Sequence, residues 1–114
     1  EGTGFIMLMK ELAWERLMIA IMCAAGCEQV LAHTLAYVRD RKVFGKPVSV
    51  YQNTKFKLAE LRSETQIARV FVDRCIEEQI KGTLQVDAAA AAKYWVSDLM
   101  SKVVDECVQL HGGY

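Results

Sequence analysis

Residues that interrupt regular structure are scarce in this sequence. Its 114 residues include 1 Pro and 7 Gly, whereas 53% are hydrophobic. β-Sandwiches and doubly wound sheets need many tight turns, which these two residue types largely build, so both folds are disfavoured. The length suits one domain, residues 1–114, and the composition is typical of helices. We therefore expect a single all-α domain.

An excess of charge of either sign is also missing. Lys and Arg total 14, Asp and Glu total 14, and the isoelectric point is near 7.0. Nucleic acids and anionic membranes attract basic surfaces, so neither is an expected partner. The apolar run Leu17–Ala25 is shorter than the ~20 residues of a membrane span, and no signal-peptide pattern opens the sequence. We expect no membrane span and a soluble intracellular protein, in which any anion site is local.

Closely spaced cysteine pairs are lacking as well. The 4 Cys show neither the CxxC spacing of zinc ribbons nor the density of a secreted disulfide scaffold. Cys23 and Cys27 lie on one helix face, as metal ligands can, but they supply only two of the four ligands of a structural zinc site. We expect reduced, buried thiols and no metal, with a metal site at this pair as the alternative.

What the sequence does contain is hydrophobic residues at helical spacing along three long segments. The first segment ends in basic residues followed by Phe44-Gly45-Lys46-Pro47, where cations suit the negative helix end and Gly and Pro stop the helix. Long helices joined by short loops pack as antiparallel neighbours, so the pattern predicts an up-down bundle of three long antiparallel helices. These helices are expected over Leu8–Arg41, over Ser49–Lys81, and from an N-cap at Asp87 to Gly112-Gly113.

The sequence has more large apolar side chains than such a slim bundle can enclose. Three long helices leave a groove that a fourth helix or a second chain normally fills. We therefore expect either oligomerisation or a missing helix. The aromatic residues that cannot all lie inside are Trp14, Tyr37, Phe44, Tyr51, Phe56, Phe71, Tyr94 and Trp95.

Glu15 is the acidic residue with the most suggestive position. It stands just before the nearly uncharged stretch Leu17–Gly26, where a low dielectric would make a carboxylate a better general base. The alternative is a surface glutamate that pairs with Lys10 or Arg16. The pattern by itself leaves both interpretations open.

Two further segments have groups that can hold an anion. Arg41 with Phe44 and Gly45 forms a basic corner, and the guanidinium fork suits phosphate or pyrophosphate. Residues 109–113 (Gln-Leu-His-Gly-Gly) offer an amide, an imidazole and glycine backbone that a ligand can approach. The alternatives are a solvated helix end and a plain C-cap. Neither histidine has a Ser or Cys at a recognisable nucleophile spacing, which disfavours hydrolase chemistry.

Eight segments share their order and spacing with one protein family. They are 4–9, 15–20, 37–39, 41–47, Gln52, 57–60, 92–95 and Asp105 to Tyr114, the last reading Asp-Glu-Cys-Val-Gln-Leu-His-Gly-Gly-Tyr. Each segment is modest, but the ordered set is specific. The whole chain thereby resembles the C-terminal helical domain of the acyl-CoA dehydrogenase family.

The resemblance implies a flavoprotein that uses FAD to oxidise an acyl-CoA thioester to its trans-2-enoyl form. A glutamate of the family removes the α-proton while the β-hydride passes to the flavin, and electron-transferring flavoprotein reoxidises the flavin. The location implied is the cytoplasm in a bacterium and the mitochondrial matrix in a eukaryote. The long-chain and isovaleryl branches look closest.

The same resemblance implies the roles of individual residues. The family places its base at one of two sequence positions, and Glu15 matches the one on the first helix, while the other lies beyond residue 114. The neighbouring residues that match the stretch contacting acyl-CoA are Ala13, Trp14 and Arg16.

The cofactor residues implied by the family fall into two sets. Arg41 and Gln52 match contacts to the adenosine and pyrophosphate of FAD, and Phe44 matches a position that packs near the cofactor. The residues that match contacts made from a neighbouring subunit are Gln109, Gly112 and Gly113.

Several parts of the family's proteins are absent from these 114 residues: the N-terminal helical domain, the middle β-domain and the last helices. We therefore expect an incomplete four-helix bundle that does not catalyse dehydrogenation alone. The full-length protein is expected to be a dimer of dimers, and two copies of this chain can pair to cover the exposed face. The alternatives are an acyl-CoA oxidase or flavin monooxygenase of the same fold, and a stand-alone helical oligomerisation module.

Overall fold

Three long helices make up most of the structure, a computed structural model that describes residues 1–113. The last residue of the family-like C-terminal segment, Tyr114, lies outside the described residues. The molecule measures 69 × 25 × 16 Å. In chain order the elements are α1 (Thr3–Asp40), β1 (Lys42–Val43), β2 (Lys46–Pro47), a 3-10 turn (Val48–Val50), α2 (Gln52–Lys81) and α3 (Val86–His111). The expected all-α, up-down bundle is confirmed.

The helix ends differ from the sequence prediction in three places. α1 begins at Thr3 instead of Leu8, because no helix breaker stands between the two and glycine is tolerated in a first turn. A 3-10 turn takes up the start predicted for the second helix at Ser49, so α2 begins at Gln52. The N-cap of α3 is Gln85, and Asp87 lies inside the first turn, where an acidic side chain suits the positive helix end.

α1 and α3 run parallel and share the most extensive interface of the bundle. A Cβ placed on Gly26 of α1 would lie 2.7 Å from the terminal methyl carbon of Met100 on α3. Eleven residues further along each helix, Tyr37 of α1 stacks on His111 of α3, so the two helices run in the same direction. Small side chains line this contact, which lets the two backbones approach closely. Fully buried alanines of the two helices are Ala20, Ala24, Ala89 and Ala92.

α2 runs antiparallel to both of its neighbours and is tied to them by ion pairs. Arg69 of α2 donates two hydrogen bonds of 2.8 Å to the carboxylate of Glu28 on α1. Lys102 of α3 lies 2.7 Å from Glu60 and 2.9 Å from Glu64 on α2. The hydrogen bond from Arg69 lowers the pKa of Glu28 below its usual range. These pairs set the relative height of the helices around the apolar core.

The core is one cluster with contributions from all three helices. Leu17, Leu61 and Val96 are fully buried examples, one from each helix. The expected apolar excess is confirmed, since none of the eight aromatic residues named above is fully buried and five are exposed. The exposed ones are Trp14, Phe44, Phe56, Tyr94 and Trp95.

α1 is also long enough and apolar enough, by length and composition alone, to cross a membrane. This is weak evidence, because a core helix of a packed bundle passes the same test and a third of that window is buried against the other helices. Leu17 in the first half of the helix and Val38 near its C-terminal end are both fully buried in the bundle.

The close α1–α3 contact makes Gly26 sensitive to side-chain size. Gly26→Leu should lower the free energy of unfolding by about 1–3 kcal/mol, because the new side chain must displace Met100 from a packed interface. Gly26→Ala should leave the free energy of unfolding nearly unchanged. The gain of up to ~1 kcal/mol in helix propensity offsets the small energetic cost of moving the flexible Met100 tip. Urea denaturation followed by circular dichroism measures both.

Gly4→Leu is the matched control, because nothing lies within 4 Å of a Cβ at Gly4 in the same helix. Equal stability of the Gly26→Leu and Gly4→Leu variants would contradict the proposed role of Gly26.

Candidate functional site

The residues singled out from the sequence fall into two groups at opposite ends of α1. Glu15 lies in the first third of the helix, and Arg41 directly follows its last residue. A helix rises 1.5 Å per residue, so these two positions are about 39 Å apart along the axis. We call them the Glu15 end and the Arg41 end.

At the Glu15 end, the carboxylate faces solvent in the described structure. Glu15 is exposed, whereas Leu17, two residues later, is fully buried. Two residues correspond to about 200° around a helix, so the side chains point in nearly opposite directions. The low-dielectric surroundings predicted for Glu15 are therefore not supplied by residues 1–113. Within that range Glu15 makes no ion pair with Lys10 or Arg16 either.

The neighbours of Glu15 border an open apolar groove. Trp14 is 42% exposed, and Ala13 and Arg16 are half-buried. Ala13 and Trp14 line a groove of about 890 Å³ between the start of α1 and the α2–α3 connection. The other apolar residues lining it are Phe5, Ile6, Met9, Ile80, Leu84 and Val86. A second surface must cover this end before it can exclude water.

At the Arg41 end, a tight hairpin follows α1. The Arg41 N–H donates to the Tyr37 carbonyl at 2.8 Å, which closes the helix, and β1 then pairs with β2. Phe44 and Gly45 form the turn with φ values of 52° and 80°, the two positive values that a type I′ hairpin turn requires. Phe44 is 97% exposed at its tip. The hairpin therefore presents an aromatic ring to solvent at a backbone conformation that favours glycine.

The start of α2 lies beside this hairpin. The Tyr51 hydroxyl donates to the Val43 carbonyl at 2.7 Å, and Tyr51 is the N-cap residue of α2. No side chain caps this helix end, so the first backbone N–H groups, from the exposed Gln52 onward, remain available. An uncapped helix N-terminus favours a bound anion.

The end of α3 lies at this same end of the bundle. The His111 ring stacks on Tyr37 of α1 with the ring centroids 4.3 Å apart. Gly112 follows with a φ of 71°, and nothing lies within 4 Å of a Cβ placed on Gly112 or Gly113. Gln109 is exposed on the last turn. The structure thus places both sets of implied cofactor residues at the same end of the bundle.

The groups at the Arg41 end fit a phosphate-containing dinucleotide. Arg41 is exposed and forms no ion pair within residues 1–113, so its guanidinium is free for a charge-assisted, forked contact. Open glycine backbone at Gly112 and Gly113 permits close approach of a ligand. Gln52 and Gln109 add amides, and Phe44 offers a ring face.

The sequence interpretation missed the pairing of Tyr37 with His111. It treated His111 as an isolated histidine, because the two residues lie 74 positions apart and nothing local links them. A signal existed in the helical spacing, since both residues lie near the ends of helices predicted to pack together. The relative register of those helices, however, cannot be read from the pattern.

The cysteines follow the expectation of reduced thiols. All four are free, and Cys27, Cys75 and Cys107 are buried, whereas Cys23 is half-buried. Burial, with smaller effects from nearby groups, raises the pKa of Cys27 to about 11, which makes it a poor nucleophile. Within residues 1–113 no group of three or more His, Cys, Asp or Glu side chains is placed to hold a metal ion.

A family model of the acyl-CoA dehydrogenase C-terminal domain matches residues 2–114. The chain belongs to this family. The resemblance drawn from the sequence is therefore confirmed.

Named relatives agree with this assignment. The chain is 47% identical over 116 residues to the mitochondrial long-chain specific acyl-CoA dehydrogenase of Rattus norvegicus, covering 100% of the chain and 26% of that protein. A crystal structure of an acyl-CoA dehydrogenase from Geobacillus kaustophilus superposes with a TM-score of 0.97 at 43% identity, covering 100% of the chain and 30% of that structure.

A third relative lies in the short-chain group. The butyryl-CoA dehydrogenase structure from Megasphaera elsdenii superposes with a TM-score of 0.94 at 34% identity, over 100% of the chain and 30% of that structure. In each case the chain spans less than a third of the length of the relative it matches.

Proposed function

We propose that this chain is the C-terminal helical domain of an FAD-dependent acyl-CoA dehydrogenase, which converts an acyl-CoA thioester to the trans-2-enoyl-CoA. The observation that carries the proposal is the uninterrupted match of residues 2–114 to this domain. The residues at the two ends of α1 support it, because one end offers a carboxylate and the other offers groups suited to a dinucleotide.

The role of Glu15 is that of the general base. Its carboxylate takes the α-proton of the thioester, the Cα–H electron pair forms the new double bond, and the β-carbon loses hydride. When bound, FAD supplies the hydride acceptor for this reaction. Ala13, Trp14 and Arg16 contact the acyl-CoA and hold its Cα–H against Glu15.

The exposure of Glu15 calls for a covering surface. A carboxylate in water is a weak base, and desolvation strengthens it. The apolar groove beside Trp14 supports this requirement, since it is open on the side where another domain of the enzyme would pack. The 114 residues alone are therefore inactive in this proposal.

The distance between the two ends supports roles for them at two different cofactors. About 39 Å along α1 exceeds the reach of one extended FAD molecule. Arg41, Gln52, Gln109 and the two glycines accordingly bind the adenosine and pyrophosphate of an FAD whose flavin reacts in a neighbouring subunit. This modifies the sequence interpretation, which placed Arg41 and Gln52 on the chain's own cofactor.

Such sharing makes the enzyme a homo-oligomer, with a dimer as the minimal unit and a dimer of dimers as the full assembly. The exposed apolar surface supports this. The physiological electron acceptor in this proposal is electron-transferring flavoprotein. The compartment is the mitochondrial matrix if the source is a eukaryote, in keeping with the rat relative, and the cytoplasm if it is a bacterium.

Replacing the base tests the catalytic role directly. In the full-length enzyme, Glu15→Gln should keep normal FAD content and lose kcat by several orders of magnitude, because an amide cannot accept the proton. The measurement is anaerobic reduction of the flavin by acyl-CoA in a stopped-flow instrument. Glu11→Gln, an exposed glutamate one turn earlier, is the matched control and should react normally. Undiminished reduction by the Glu15→Gln variant would refute Glu15 as the base and favour the stand-alone interaction module.

Removing the guanidinium tests the cofactor end. Arg41→Ala should weaken FAD binding by about 1.5–3 kcal/mol, the range for a hydrogen bond to a charged group. This corresponds to roughly a ten- to hundredfold rise in Kd, measured by fluorescence titration of the apoenzyme with FAD. Arg39→Ala, two residues earlier and also exposed, should leave Kd unchanged. The same Kd in wild-type and Arg41→Ala protein would remove Arg41 from the cofactor site.

An acidic substitution on the exposed apolar surface tests the assembly. Ile67, Val70, Phe71, Tyr94 and Trp95 line two adjoining grooves of about 470 and 350 Å³ on α2 and α3. Val70→Glu should shift the full-length protein to a smaller assembly, because burying an unpaired carboxylate is costly. Light scattering after size exclusion gives the mass. Ser101→Glu, at an exposed polar position, should not change it. An unchanged mass for Val70→Glu would exclude this surface as an interface.

A further inference from the structure

Three interactions fix one aromatic pair at the Arg41 end. The rings of Tyr37 and His111 stack with centroids 4.3 Å apart and an angle of 23° between their planes. The Tyr37 hydroxyl donates to the backbone carbonyl of His111 at 3.2 Å. His111 Nδ1 lies 2.8 Å from the Cys107 carbonyl, and because a carbonyl only accepts, Nδ1 carries the proton. We call these two residues the Tyr37–His111 pair.

The pair joins the two segments that form the candidate dinucleotide site. Tyr37 lies one helical turn before Arg41, and its carbonyl accepts the Arg41 N–H at 2.8 Å. His111 is the last residue of α3 and directly precedes Gly112. Both members are half-buried between the helices, whereas Arg41, Gly112 and Gly113 are exposed. The pair is therefore the direct side-chain contact between the segment that bears the guanidinium and the segment that bears the open backbone.

A flexible site needs such a contact. A glycine pair after a helix end has high conformational freedom, and fixing its backbone costs conformational entropy. If the glycine backbone becomes ordered only when the ligand binds, the entropy cost of ordering reduces the affinity for the ligand. A site that is already ordered before binding avoids this loss of affinity. The Tyr37 hydroxyl holds the His111 carbonyl, the peptide group that leads into Gly112.

We propose that the Tyr37–His111 pair is a positioning device for the dinucleotide site, which fixes Gly112 and Gly113 relative to Arg41 before FAD binds. This inference rests on the proposed function and deepens it. The pair acts through its neighbours and does not contact the reacting atoms, because Tyr37 lies about 33 Å from Glu15 along α1.

The test uses the full-length apoenzyme titrated with FAD. His111→Ala removes the stack and the Nδ1 hydrogen bond, and should raise the Kd for FAD roughly tenfold, which equals about 1.4 kcal/mol. The kcat at saturating FAD and acyl-CoA should stay unchanged, since the base and substrate contacts are distant. His111→Phe keeps a ring that can stack on Tyr37, so it should restore most of the affinity.

Two further measurements separate positioning from loss of fold. Hydrogen exchange of the apoenzyme should show faster exchange across residues 109–113 in His111→Ala and near wild-type exchange in His111→Phe. Tyr37→Leu combined with His111→Ala should weaken FAD binding by less than the sum of the two single changes, because both remove the same ring stack. His33→Ala is the matched control: His33 is an exposed histidine of α1 that bonds Gln29, away from this site.

An unchanged Kd for His111→Ala in an enzyme that binds FAD and turns over would overturn this inference alone. A His111→Phe variant as weak as His111→Ala would also overturn it, because stacking would then not be what positions the site. A wild-type protein that binds no FAD would overturn the proposed function itself.

Discussion

The parallel packing of α1 against α3 is the constraint on which the rest of the structure depends. Gly26 lets the tip of Met100 lie where a larger residue would clash, and fully buried alanines keep the two backbones close over their length. Because the helices are parallel, their C-terminal ends finish side by side. That arrangement places Gly112 at the same end of the bundle as Arg41, and no local feature of the sequence requires it.

The antiparallel helix α2 closes the bundle without changing this arrangement. Its ion pairs from Arg69 to Glu28 and from Glu60 to Lys102 set the relative heights of the helices, while its uncapped start lies beside the hairpin. The Arg41 end of the molecule therefore contains an uncapped helix start, an arginine and open glycine backbone. The Glu15 end contains an exposed carboxylate and exposed apolar surface. In the proposed function, the chain thus contributes residues to two sites and needs further surfaces to complete each.

Local chemistry explains which features could be predicted from the sequence. The helix ends at Lys81 and before Gly112 were predictable, because each glycine that follows has a positive φ. The start of α1 was not, since nothing between Thr3 and Leu8 marks a boundary. The stacking of Tyr37 on His111 depends on helix register, which the hydrophobic spacing leaves open. The exposure of Glu15 depends on which face of α1 meets α2 and α3, and the sequence pattern left both a low-dielectric and a surface position open.

The unbroken length of α1 has a consequence for how its sequence can change. It contains 38 residues without a kink-forming proline. Inserting one residue between Leu17 and Val38 would rotate the Arg41 end by about 100° relative to the Glu15 end and shift it by about 1.5 Å. A substitution within this helix changes the structure locally. A change in helix length would instead alter the position of the Arg41 end relative to the Glu15 end, and so would affect both proposed sites. In the proposed function, the residues at both ends of α1 therefore constrain its length.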